Sequence, residues 1–352
     1  VDLDAALAVL RARDDPAYRA EQVRHAVTRE LIGGWGEAST LPRALREALE
    51  AAAPVRELVE EEAQEASDGT VKARFRTADG FPLETVLMRH GDRHAVCLSS
   101  QSGCALACSF CATGAMGLGR SLTTGEILEQ LLWAARVARA RDARIRNVVM
   151  MGMGEPLQNL DAVLAFCRHA NDPAGFGLGA RSIAISTAGW VPGIDRLGEE
   201  PLQLRLAISL HAPDDALRSQ LMPVNRRYPL VELMAALRRY RESTRRRIYV
   251  EYLLLDGVND RVEQAERLAD LLHAELPGGF HVNCIVYNPT ASDLRGSPSD
   301  RVRRFRAVLD RRGVPHTLRR SKGTDIDAAC GQLAVRGVRE LRAARRAARA
   351  AG

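Results

Sequence analysis

Ala95-Val96-Cys97-Leu98-Ser99-Ser100-Gln101-Ser102-Gly103-Cys104-Ala105-Leu106-Ala107-Cys108-Ser109-Phe110-Cys111 is the stretch on which the reading of this chain turns. A short apolar run at 95–98 stops in small polar residues, and a loop with the spacing C-x3-C-x2-C follows it. Comparable β-branched or apolar runs recur at 147–151, 182–186, 205–210, 248–255, 281–286 and 316–319. Amphipathic stretches at 124–138, 160–169, 230–240, 262–272 and 299–311 separate most of them. Strand and helix alternating in this way predict βαβ units and a parallel sheet. The fold class expected is therefore α/β, a full or partial (β/α) barrel, whose reactive groups gather at the C-terminal ends of the strands. Cys104, Gly154-Glu155, Ser186 and His211 all fall at such ends.

Outward from this core, residues 1–65 read as an N-terminal helical accessory domain, with apolar positions at helical spacing in Leu3, Ala6, Leu7 and Leu10 and in Val23, Val27 and Leu31. Residues 66–92 read as a hairpin extension with Asp79-Gly80 as a candidate turn. The barrel is expected over 93–335, and 336–352 as a basic tail without an apolar face.

The chain has 352 residues, 46% hydrophobic and 27% charged, which excludes wholesale disorder. No apolar run approaches the roughly 20 residues that cross a bilayer, and no signal-peptide pattern opens the sequence. Seven cysteines, three of them crowded into one loop, argue against a secreted disulfide framework and for a reducing cytoplasm. The net charge of +6 is uneven: fifteen Lys and Arg against four Asp and Glu lie between Arg301 and Gly352. That asymmetry fits an anionic partner such as nucleic acid, and equally a solvated Arg/Ala helix.

Thiolates this close in one loop converge on a single metal centre. Structural zinc wants a fourth ligand that no nearby Cys or His supplies at paired spacing. A four-iron cluster on three cysteines leaves one iron open to a substrate or cofactor. The bland alternative is three small buried residues. Cys97 and Cys330, each taken alone, read as inert buried thiols, as do Cys167 and Cys284.

The C-x3-C-x2-C loop, with Phe110 before its last cysteine, resembles that of the radical S-adenosylmethionine superfamily, and Met153-Gly154-Glu155-Pro156 resembles its glycine-rich strand end. The contexts of Cys97 and Cys330 narrow this further. So do Ser209-Leu210-His211-Ala212, Leu221-Met222-Pro223-Val224-Asn225 and the segment from Asp325 to Leu333. Together they resemble the dual-specificity RNA adenosine methyltransferase family, from about Ala17 to Leu333, nearly the whole chain.

The resemblance implies a [4Fe-4S] cluster held by Cys104, Cys108 and Cys111, and two molecules of S-adenosylmethionine per turnover. It implies cofactor contacts from Gly154, Glu155, Ser186, Ser209, Leu210, His211 and Asn288. Carbon 2 of adenine is too electron-poor to attack a methyl sulfonium, so a radical route is needed. Cys330 would accept a methyl group by displacement, and a radical made at the cluster would take a hydrogen from that methyl. The carbon radical would add to adenine, Glu84 would take the ring proton, and Cys97 would free the product by forming a disulfide with Cys330. Plainer readings stand beside these: an exposed strand carboxylate at Glu84, a hydrogen-bonded core histidine at His211, and a helix cap at Ser186.

The implied partners are 23S ribosomal RNA, transfer RNA and an external electron donor such as flavodoxin, with no membrane. The stretches 238–247 and 301–320 offer basic residues to phosphates. Two features blur the reacting carbon. Tyr287-Asn288-Pro289-Thr290 and Arg319-Arg320-Ser321-Lys322-Gly323 look more like the relative that methylates carbon 8 and confers antibiotic resistance; the proline of Met153-Gly154-Glu155-Pro156 looks more like the carbon-2 branch. A non-catalytic RNA-binding protein with a structural metal cluster is the competing class, and a radical enzyme acting on a small molecule is a third.

Overall fold

The computed structural model describes residues 1–91, 93–290 and 292–333, so the basic tail expected at 336–352 lies outside the described residues. In the N-terminal part come α1 (Leu3–Ala12), α2 (Tyr18–His25) and α3 (Arg43–Ala52), then strands β1 (Leu58–Glu65), β2 (Val71–Thr77), β3 (Pro82–His90) and β4 (Arg93–Cys97). Two short strands, β5 (Gln101–Ser102) and β6 (Arg120–Ser121), pair around the cysteine loop and its short helix α4 (Ala112–Met116). Alternation follows: α5 (Thr124–Arg139), β7 (Ile145–Met150), α6 (Leu160–Asn171), β8 (Ile183–Thr187), α7 (Val191–Glu199), β9 (Arg205–Ser209), α8 (Asp215–Leu221) and α9 (Leu230–Thr244). The series ends with β10 (Ile248–Leu254), α10 (Val262–Glu275), β11 (Phe280–Val286), α11 (Ser299–Arg311) and β12 (His316–Arg319).

Ten strands make one sheet in the order β1-β2-β3-β4-β7-β8-β9-β10-β11-β12. The first four are antiparallel, and from β4 onward each neighbour is parallel. β1 and β12 are edges, so the barrel is partial. The parallel strands are apolar because helices cover one face and the barrel interior the other; β10 is buried at six of its seven positions. Every apolar run named in the sequence became a strand, and every amphipathic stretch a helix, within a few residues at each end.

The N-terminal reading needs one correction. Residues 58–65, counted with the helical region, form the edge strand β1. Its Val-Glu-Glu-Glu-Ala-Gln-Glu sequence has no alternating apolar face, and only Leu58 is buried. Pairing with β2 overrides the helix preference of Glu, Ala and Gln, helped by Glu61, which bridges Arg74 at 2.9 Å and also pairs with Arg76. The hairpin is as read: Gly80 (φ +88°) turns the chain, and Thr77 N–H donates to the Phe81 carbonyl at 2.9 Å.

Helix α5 ties the two parts together. A reciprocal cap opens it, with Glu126 N–H donating to Thr123 Oγ1 at 3.1 Å and Thr123 N–H to Glu126 Oε2 at 2.9 Å. Along its length Glu129 accepts from Leu58 N–H at 2.9 Å, and Arg136 and Arg139 donate to the carbonyls of Leu31 and Glu30 at 3.0 and 2.8 Å. Among the described residues no helix is long and apolar enough to cross a membrane.

Candidate active site

The C-terminal ends of the parallel strands open on one cavity of about 160 Å³. Its wall includes all three loop cysteines, together with Cys330, Gly154, Glu155, Ser186, Ser209 and His211. The cysteine loop is folded tightly. Gly103 sits at φ +78°, and a Cβ there would lie 2.0 Å from the Gly117 carbonyl oxygen, so only glycine fits. Cys104 N–H donates to that same carbonyl at 3.2 Å, and Ser109 N–H to the Leu221 carbonyl at 2.9 Å, which fastens the loop to α8.

All three thiols are free of disulfides. Burial pushes Cys104 up to about 12, and burial with the neighbouring thiols raises Cys108 well above the ordinary thiol range, so a bound metal would favour their deprotonation. Among the described residues no three His, Cys, Asp or Glu side chains are gathered about a single metal ion. Zinc would draw its sulfurs to about 2.3 Å from one point, whereas a four-iron cluster spreads three thiolates over three irons. Three thiols around a shared cavity fit the cluster better than they fit zinc.

Gly154 turns at φ +97°, and a Cβ there would lie 2.5 Å from Gln101 Cβ. The turn aims the next carboxylate: Glu155 is 2% exposed, and its oxygens accept from Leu157 N–H at 3.1 Å and Ala188 N–H at 2.8 Å. Burial raises it to about 7, against the opposing pull of those donors. A buried carboxylate at the cavity wall suits an ammonium group. Ser186 and Ser209 line the cavity as half-buried hydroxyls. Ser186 is not a helix cap: the N-cap of α7 is Trp190, without a side-chain cap bond, and Thr187 Oγ1 accepts from Gly189 N–H and Trp190 N–H at 3.1 and 3.2 Å in the turn before the helix.

His211 is buried at φ +59°, and its Nδ1 accepts from Leu253 N–H at 3.1 Å, which places the ring proton on Nε2. Burial, with Arg218 adding repulsion, lowers it to about 3, so the ring is neutral. Phe110 stands edge-on to it at 4.8 Å. It is thus both a hydrogen-bonded histidine and a cavity wall. Leu210 is buried behind the wall and contributes through its backbone, its N–H donating to the Glu251 carbonyl at 3.1 Å.

Cys330 lies exposed in the cavity on the loop after β12, although the surrounding walls still raise its thiol pKa, Arg319 opposing them. Asn288 is not on the wall; its Nδ2 donates to the Cys330 carbonyl at 3.5 Å and so supports the loop. Cys97, at the end of β4, is buried, and burial followed by the nearby Cys330 pushes it up to about 12. The fold thus brings Cys97, at the end of the first parallel strand, near Cys330, on the loop that follows the last one. Glu84 is not on the cavity wall and is not exposed. It is 7% exposed, lies 3.9 Å from Lys72 Nζ, and opens on an adjoining hollow beside Asp325 and Asp327. Cys167 and Cys284 are fully buried, as expected of bystanders.

Two residues escaped the sequence reading. Glu251, a carboxylate inside an otherwise apolar run, is held on the wall by Asn283 Nδ2 at 2.8 Å and Arg319 at 3.5 Å; its presence in that run was the available signal. Arg218 on α8 is wholly buried and donates to the carbonyls of Ala188 and Leu210 at 2.8 and 3.2 Å; no spacing rule marks it.

Comparison with known proteins bears on this geometry. Residues 98–272 match the family model described as the Radical SAM superfamily. A probable dual-specificity RNA methyltransferase RlmN of Chloroflexus aurantiacus is 48% identical, covering 93% of this chain and 90% of the relative. A protein of the same description from Frankia casuarinae is 50% identical over 91% of this chain and 78% of its own. The crystal structure of a radical SAM methyltransferase from Sphaerobacter thermophilus superposes with a TM-score of 0.91 at 48% identity, covering 95% of this chain and 98% of that one. On fold, sequence and coverage alike, the chain belongs to the radical SAM superfamily and, within it, to the dual-specificity RNA methyltransferases RlmN.

Proposed function

We propose that this enzyme methylates carbon 2 of an adenosine in 23S ribosomal RNA and in transfer RNA, through a methyl group carried on Cys330. The observation that supports it most is Cys330 exposed on the same cavity wall as Cys104, Cys108 and Cys111, with the buried Cys97 near enough for Cys330 to push its thiol pKa up. A structural cluster in a passive RNA-binding protein has no use for an exposed thiol backed by a second thiol.

Cys104, Cys108 and Cys111 would hold the [4Fe-4S] cluster, and Gly154, Glu155, Ser186, Ser209 and His211 the S-adenosylmethionine. Cluster and cofactor together supply methyl groups and one-electron cleavage, given an electron from a donor such as flavodoxin. The rest falls to the chain. Cys330 gives up its thiol proton and takes a methyl on Sγ; Arg319 favours the thiolate and Glu251 opposes it. The neutral His211 offers an Nε2–H donor and adds no charge to the pocket. Glu84 takes the ring proton once the methyl carbon is bonded to the base. The adduct would shed its one unpaired electron to the cluster. Cys97 then gives up its thiol proton and attacks Sγ of Cys330, and the carbon–sulfur bond breaks with its electron pair left on the methylene carbon. That carbon takes a proton to become the methyl group, and the two sulfurs end as a disulfide that must be reduced before another round. A base within a stacked helix has to be turned out to reach this cavity.

Cys97→Ala leaves the Cys330 adduct without its resolving thiol. Under reducing turnover the variant is expected to accumulate RNA covalently joined to protein, visible as a shifted band on a denaturing gel. Free, fully methylated RNA with no adduct contradicts the reading.

A further inference from the structure

Arg218 is 0% exposed and belongs to no ion pair among the described residues. Its acceptors are neutral: the carbonyls of Leu210 (3.2 Å), Ala188 (2.8 Å) and Ser209 (3.2 Å), and Asn225 Oδ1 (2.7 Å). A guanidinium has five N–H donors, and these four bonds leave one N–H without an acceptor. The group stays protonated at neutral pH even though burial draws it down to about 10. A buried charge is retained at such a cost only against an opposite charge.

The neighbours that can carry negative charge beside it are Asp215 and, once a bound metal has taken its proton, Cys108. Asp215 is committed elsewhere, its Oδ1 accepting from Asn225 Nδ2 at 2.8 Å and Leu230 N–H at 2.8 Å. The cysteine loop, by contrast, is fastened to the helix that carries Arg218: both Ser109 N–H and Ser109 Oγ donate to the Leu221 carbonyl, at 2.9 and 3.3 Å. Leu217 and Leu221 of that helix pack in one apolar cluster with Leu106, Cys104, Cys108 and Phe110. Arg218 is wholly buried behind this apolar packing, so its charge is weakly screened on the side of the cysteine loop.

We propose that Arg218 is the fixed counter-charge of the iron–sulfur cluster, a positioning residue that raises the cluster's reduction potential while it anchors the cofactor-binding strand ends. Three thiolates on a [4Fe-4S]2+ core leave one net negative charge, and one-electron reduction by the external donor leaves two. A cation held in the dry interior stabilises the reduced form more than the oxidised form. The inference rests on the cluster ligation put forward above.

The test is a spectroscopically monitored redox titration of anaerobically reconstituted enzyme, with iron content measured on each sample. Arg218→Gln removes the charge but keeps part of the hydrogen bonding; its potential is expected to fall, with the reduced-to-oxidised ratio at a fixed poise down roughly tenfold or more. Arg218→Lys keeps the charge and loses the planar fork; its potential is expected to stay near that of the unaltered enzyme although its melting temperature drops. Equal, unshifted potentials in both loaded variants overturn the proposal and leave Arg218 a structural brace. Should Arg218→Gln fold poorly or load no iron, Asp215→Asn decides. It keeps the Oδ1 acceptor, removes a negative charge near the same cation, and is expected to raise the potential; no change there overturns the proposal. An unaltered enzyme that takes up no iron contradicts the ligation itself, which is a separate failure.

Discussion

The backbone N–H of Ala112 donates to the carbonyl of Gly331 at 2.8 Å, so the loop that presents Cys330 is fastened to the loop that presents Cys104, Cys108 and Cys111. Thr113 doubles the tie through Oγ1, which donates to the Leu333 carbonyl at 3.0 Å. At its other end the Cys330 loop is held by the turn after β1, where Ser67 N–H donates to Asp325 Oδ2 at 2.9 Å and Gly323 N–H to Asp68 Oδ2 at 3.3 Å. Cys330, the proposed methyl carrier, is thus positioned from two sides.

Loosening one tie is expected to slow methyl loading without disturbing the cluster. Thr113→Val removes a buried hydrogen bond of about 1 kcal/mol, which corresponds to a roughly fivefold loss in the rate at which Cys330 is methylated. Intact-protein mass spectrometry after timed exposure to S-adenosylmethionine measures it. An unchanged rate separates the tie from catalysis.

In the proposed cycle Glu84 acts after the methyl group has reached the base, so its removal should stop the cycle late. Glu84→Gln is expected to methylate Cys330 normally while losing 100-fold or more in product formation, the usual contribution of a positioned base. Peptide mapping of Cys330 and nucleoside analysis of the RNA separate the two steps. Normal product yield makes Glu84 a partner of Lys72 and nothing more.

Two buried groups give the cofactor-free protein opposite pH slopes. Glu155 has its pKa raised by burial to about 7, so the folded state binds its proton more readily than the unfolded chain; its stability contribution is full below about pH 4.5 and is lost as pH rises through 7. His211 has its pKa lowered by burial to about 3, so stability is lost as pH falls below about 6.5. Thermal melts are therefore expected to improve from pH 8 to about 6.5, to level off between about 6.5 and 4.5 where the two slopes cancel, and to worsen below about 4.5, where Glu155 is already protonated and His211 still resists its proton. Glu155→Gln should remove the rise above pH 6.5, which is of order 1 kcal/mol, and leave the His211 loss below pH 6.5 without its opposing slope. An unchanged upper slope assigns it to another group.

Much of this was legible in the sequence because the relevant signals are local. The run at 248–255 became β10 and the stretch at 299–311 became α11, since an apolar period states which face a segment buries. β1 was not legible: Glu60, Glu61 and Glu62 reveal a strand only when the arginines of β2 stand beside them. Helix α7 was missed because Pro192, Gly193 and Gly198 hide a short helix from any periodic test. In the site, Cys104, Cys108, Cys111 and Glu155 announced themselves by spacing and context. Arg218 did not, because its importance lies in the carbonyls of Ala188, Ser209 and Leu210, which only folding brings to it.

The most direct measurement is nucleoside mass spectrometry of 23S ribosomal RNA and transfer RNA that lack the modification, each incubated anaerobically with the iron- and sulfide-reconstituted enzyme, S-adenosylmethionine and reduced flavodoxin. The proposed function predicts 2-methyladenosine in both RNAs, dependent on Cys330 and on Cys97. 8-Methyladenosine alone, or RNA left unmethylated by an enzyme whose cluster is fully loaded, contradicts it.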